Sequence, residues 1–124
     1  EYRRLLASQF FQQYTDTEQN VIILGDLNDE LTDHDSTNVF LDLLEDENFI
    51  FADMSIAEGH YDYWSYPGYP SHIDHILLTS PLENSFNNLH SSIKVLPLDL
   101  NFMNWDQYDF LVSDHRPVLL KLAY

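Results

Sequence analysis

A mixed α/β domain is the fold class that this 124-residue chain predicts, and three features of it point that way. Val21, Ile22, Ile23 and Leu24 are a continuous aliphatic run ending at Gly25, the pattern of a strand buried on both faces. A second apolar run, Ile73 to Thr79, is interrupted only by Asp74 and His75. Around these runs lie segments with three-four apolar spacing: Tyr2, Leu5, Leu6, Phe10 and Tyr14, then Val39, Phe40, Leu43 and Leu44.

In chain order, residues 2–14 are predicted as an amphipathic helix and Thr15 to Asn20 as a polar connector. The strand at 21–24 follows, and Asp26 to Asp35 leaves its end as an acidic loop. Ser36 or Thr37 is expected to cap a second helix, because either hydroxyl can accept from the free N–H groups of a first turn. Asn48 to Asp53 reads as a short strand. Tyr61 to Pro70 is a loop by its Pro and Gly content, yet it carries Tyr61, Tyr63, Trp64, Tyr66 and Tyr69. Ile73 to Thr79, Ile93 to Leu98 and Pro117 to Leu122 are the remaining strands, the last entered through the polar turn Ser113 to Arg116. No internal repeat breaks the chain into units. Its opening at Glu1, already in helical spacing, reads as a piece of a longer sequence.

Composition narrows the function classes. Hydrophobic residues at 44% and aromatics at 15% exclude a disordered chain. Five Lys and Arg against 21 Asp and Glu give a formal net charge of −16, which excludes binding by a basic face to phosphate backbones or anionic lipid. The absence of cysteine excludes disulfides and thiolate zinc sites. No apolar run approaches the roughly 20 residues of a membrane span.

The chemistry lies where polar residues meet the apolar strands. Asp26 and Asn28 follow the first, Asp74 sits at the second, and Asp114 and His115 precede the last. If these strands are neighbours in one sheet, about 4.8 Å apart, the three carboxylates converge. Like charges at that range persist only when a cation or a shared proton relieves them. Oxygen ligands without thiolates favour a hard divalent ion, Mg2+ or Mn2+.

Val21-Ile-Ile-Leu-Gly-Asp-Leu-Asn28, Ser71-His-Ile-Asp-His-Ile-Leu-Leu78 and Val112-Ser-Asp-His-Arg-Pro-Val118 resemble, in order, the last three signature blocks of the endonuclease/exonuclease/phosphatase superfamily. The resemblance spans about residues 2–124 and implies the C-terminal half of a two-sheet α/β sandwich of the deoxyribonuclease I-like type. Its sheet would be mixed and largely antiparallel, with helices on one side. Residues 1–124 would then be the later part of one domain, whose first half, with an early Asn, a metal-binding Glu and a catalytic His or Tyr, is not in this sequence.

The resemblance also implies roles. Asp26 would orient or deprotonate the attacking water and share the metal with Asp114. Asn28 would donate its amide to a phosphate oxygen, which a carboxylate cannot do. His115 would donate to the scissile phosphate, held by Asp74. The aromatic loop, Trp64 above all, falls where such proteins place a substrate-side wall, and rings there stack on nucleobases. The implied activity is metal-dependent phosphoester hydrolysis, with a nuclease as the leading reading. A small-molecule or lipid-headgroup phosphodiesterase and a noncatalytic acidic module are the alternatives. Alone, the chain is expected to bind metal weakly, to hydrolyse slowly or not at all, and to offer an apolar sheet face to the missing half or to a second copy.

Other readings of the same residues divide by geometry. Ser113, Asp114 and His115 cannot form a hydrolase triad, since adjacent residues on an extended segment do not converge. A calcium loop from Asp26 would need Gly and Glu where Leu31 and Thr37 stand. Strand alternation puts His72 on the face of Asp74, as a substrate-binding candidate, and His75 in the core. Asp29 is a further substrate-side candidate, while His34, His60 and His90 are expected at the surface.

Overall fold

The computed structural model describes Gln9, residues 11–13 and residues 20–124. Gln9 and residues 11–13 are helical, within the helix expected over 2–14, the rest of which lies outside the described residues. The protein is mixed α/β with antiparallel strand pairing. Strands β1 (Ile22–Asp26), β2 (Phe49–Phe51) and β3 (Asp74–Thr79) form one sheet in the order β1-β3-β2, and β4 (Ser92–Val95) pairs with β5 (Val118–Lys121) in a second. Short helices α1 (Leu41–Leu44), α2 (Met54–Ala57), α3 (Glu83–Phe86) and α4 (Trp105–Leu111) fill the connections. No helix among the described residues is long and apolar enough to cross a membrane.

β3 is the central strand because its residues tolerate burial on both sides. Ile76, Leu77 and Leu78 are all buried, each contributing about 1.5–3 kcal/mol by leaving water. Side chains alternate, so the sheet has two different faces. On one, Leu77 and Phe51 pack with Phe11, Leu31, Phe40 and Leu43. On the other, Ile76 and Leu78 pack with Ala52 and Leu82, against which Phe86, Ile93, Val118 and Leu120 close.

That second face is only partly covered. Ile22 and Leu24, on the edge strand β1, are 41% and 68% exposed. With Ile76 and the strand β5 they line an open apolar groove of about 390 Å3.

Two local structures differ from expectation. The helix expected from Ser36 or Thr37 is reduced to α1, because both residues are spent on His34: Ser36 Oγ bonds its Nδ1, and Thr37 donates Oγ1–H to its carbonyl. The buried Asn38 organises the segment instead, donating to the Leu31 and Asp33 carbonyls and accepting from Phe40 N–H. Helix α4, not anticipated, starts at Asn104, whose Oδ1 accepts from Gln107 N–H while Gln107 Oε1 accepts from Met103 N–H, a reciprocal cap of the kind that fixes helix starts.

Candidate functional site

Antiparallel register brings two of the sequence-flagged carboxylates together: Asp26 at the end of β1 lies directly opposite Asp74 at the start of β3. Opposed residues in such a pair point to the same face, so both project from the rim of the partly covered side. The ladder continues one step, with Leu27 N–H donating to Ile73 O at 2.8 Å. The chain then turns: Asn28 N–H donates to Asp26 Oδ1 at 2.9 Å, and Asn28 takes φ of +59°, which Asn tolerates better than most side chains. Asn28 is exposed beside Asp26.

His115 completes the cluster, donating Nδ1–H to Asp74 Oδ2 at 2.7 Å, both side chains 21% exposed. That bond fixes the tautomer and leaves Nε2 as the nitrogen offered to a ligand. The Tyr66 ring lies against the imidazole, centroids 4.7 Å apart.

The backbone of His115 is anchored just as closely. Its N–H donates to Ser113 Oγ, and its carbonyl accepts from the Tyr108 hydroxyl at 2.9 Å. Burial and the Asp99 carboxylate push the Tyr108 phenol up, so it remains a donor. Next in sequence, Arg116 donates its N–H to the carbonyl of buried Ser65, grips Asp99 with Nε and Nη2, and lies over Trp105. Tyr108→Phe is expected to lower stability by about 1–2 kcal/mol, since a half-buried carbonyl loses its donor; urea unfolding measures it.

The other flagged residues do not extend this cluster into a three-ligand group. Asp114 is exposed on the turn before His115. Asp26, Asp74 and Asp114 do not bring three ligand oxygens within 4.8 Å; among the described residues only Asp53, His72 and His75 form such a group. Trp64 donates its indole N–H to Ile56 O at 3.0 Å, which ties the ring to α2. His34, His60 and His90 are exposed and His75 is buried.

His72 is not on the side of Asp74. β3 begins at Asp74, so strand alternation does not extend back to His72, and the ring turns inward. Its Nε2–H donates to Asp53 Oδ2 at 2.9 Å, and His75 Nδ1–H donates to the same oxygen at 2.7 Å. Asp53 Oδ1 accepts from Ile76 N–H, and His75 Nε2–H donates to Asp29 O at 2.8 Å. All three side chains are almost wholly buried. Burial pushes the Asp53 carboxyl up, but the His72 and His75 hydrogen bonds, the His75 charge and the Ile76 N–H outweigh it and hold the group at about 2. Sequence reading passed over Asp53; the available signal was an acid between the apolar residues Ala52 and Met54. Nearby, burial raises Glu30, and Asp33 and Asp29 raise it further.

No family model, curated protein or solved structure matches the chain.

Proposed function

We propose that this chain carries the later half of a metal-dependent phosphoesterase domain of the endonuclease/exonuclease/phosphatase type, hydrolysing a phosphodiester by in-line attack of water. The observation that carries the reading is the Asp74–His115 pair at 2.7 Å with Asp26 opposite Asp74 in register. Three residues far apart in sequence supply a carboxylate, an oriented imidazole and its holder at one exposed rim.

The chain's own groups divide the work. Asp26 has one oxygen engaged by Asn28 N–H, and the other is available to take the proton of the attacking water. His115 offers Nε2–H to a phosphoryl oxygen when protonated, its ring held by Asp74. The Asn28 amide donates to a second oxygen. Exposed carboxylates suit a magnesium ion that keeps several waters, which needs only one or two of them; Asp26 and Asp114 would hold it. Bound there, it would supply Lewis-acid stabilisation of phosphoryl charge.

A nucleic acid is the leading substrate. The net charge of −16 favours a second reading, a small or lipid-headgroup phosphodiester, because a backbone of many phosphates would be repelled. The apolar groove between β1 and β5 is assigned to the first half of the domain or, failing that, to a second copy.

The test is hydrolysis of bis(p-nitrophenyl) phosphate and of a DNA duplex by the full-length protein with and without Mg2+. Asp26→Ala and His115→Ala are each expected to lower the Mg2+-dependent rate by about 10²–10⁴-fold. A folded full-length protein without metal-dependent hydrolysis of either substrate would be a binding module instead.

A further inference from the structure

The core-facing side of the sheet carries a second constellation, which the proposed reaction does not use. Asp53, His72 and His75 present one oxygen and two nitrogens within 4.8 Å of one another. Both rings aim at the same oxygen, Asp53 Oδ2, at 2.9 and 2.7 Å. His75 has oxygens at both nitrogens, Asp53 Oδ2 and Asp29 O, in a fully buried place. His72 Nδ1, also buried, has no hydrogen-bond partner.

The paired rings suit a metal. An imidazole that ligates through one nitrogen is held by a donor bond from the other, commonly to a backbone carbonyl, and His75 Nε2–H to Asp29 O is such a bond. A divalent cation would sit where both rings meet Asp53 Oδ2, bound by His75 through Nδ1 and by His72 through Nε2.

We propose that Asp53, His72 and His75 bind a zinc-class divalent cation in the interior of the domain. Two imidazoles and a carboxylate, with a water in the fourth position, are a donor set for zinc or its late first-row neighbours, not for magnesium, which favours oxygen and its own waters. The ion would tie the turn after β2 to β3 and to the segment that leads into it. It is independent of the rim chemistry, because His75 and Asp74 are adjacent on β3 and face opposite ways.

The full chain, stripped with chelator, is titrated with Zn2+ by calorimetry in buffers of different ionisation enthalpy, and with Co2+ by visible absorption. Expected are one ion per chain, release of protons on binding, a raised thermal midpoint and the intense d–d bands of four-coordinate Co2+. Imidazole 15N resonances of His75 should show Nδ1 as the nitrogen that binds the metal. His72→Gln, which keeps a side-chain donor for Asp53, should weaken binding at least tenfold and abolish the Co2+ bands. No saturable binding by the folded chain, or weak octahedral Co2+ spectra, would overturn the proposal and leave a buried imidazole–carboxylate cluster only. None of these readouts depends on hydrolysis, so the two readings fail separately.

Discussion

Asp53→Ala is expected to cost about 3–5 kcal/mol of folding stability, the range seen when one partner of a buried ion pair is removed. The carboxylate has no exposed surface and accepts three hydrogen bonds, from His72, His75 and Ile76 N–H. Alanine leaves all three donors without an acceptor. A domain of this size is stable by about 5–15 kcal/mol in all, so the loss would bring the chain close to unfolding. Asp53→Asn, which keeps an oxygen for Ile76 N–H, should cost less. Urea denaturation followed by circular dichroism measures both, and a loss below about 1 kcal/mol for alanine would mean that the cluster does not hold the core. The same carboxylate gives a pH signature in chelator. Its folded value of about 2 lies below the ordinary 3.8, so it stabilises the fold by about 2 kcal/mol at pH above roughly 4, and that contribution is lost as pH falls through 2.

Asp74→Asn should leave stability within about 1 kcal/mol and lower the metal-dependent turnover of the full-length protein by about 10²–10⁴-fold. The amide has the volume of the carboxylate and can still place an oxygen 2.7 Å from His115 Nδ1. It cannot supply the negative charge, and it can rotate to present N–H instead, which reverses the tautomer. Substrate affinity should change less than turnover, because Asp74 acts through His115. Steady-state kinetics separates the two effects, kcat falling while KM changes little. A reduction of less than tenfold would show that the imidazole is not the group on which the reaction depends.

The rim was legible in the sequence and the core cluster was not, for one physical reason. Asp26 and Asp74 stand at the ends of apolar runs, and antiparallel pairing of two such runs brings their ends together. His72 needed knowledge of the residue at which β3 begins, since alternation holds only inside the strand and the chain reaches Asp74 before the ladder starts. Asp53 carried the same signal as Asp74, a charge among apolar neighbours, but one of its partners is His72, which strand alternation had placed on the other side of the sheet. Helix α4 was written locally in Asn104 and Gln107, three apart, and was missed because its face mixes Trp105, Tyr108 and Leu111 with acids. The strand centres fell inside the expected runs, whereas their limits shifted by up to three residues, as at β4, which stops at Val95 because Pro97 cannot donate to a ladder.

Asp74 and His75 are consecutive, and each is hydrogen-bonded to a partner on an opposite side of the sheet, His115 for one and Asp53 for the other. A slide of β3 by a single position would exchange the two sides, in one direction setting His75 where His115 needs an acid and in the other setting Asp74 against the Asp53 carboxylate. Both bonds would break in the same movement. The strand is therefore indexed by its chemistry as well as by its oil-facing residues, like a key cut on both edges, and misaligned pairings during folding are rejected twice over.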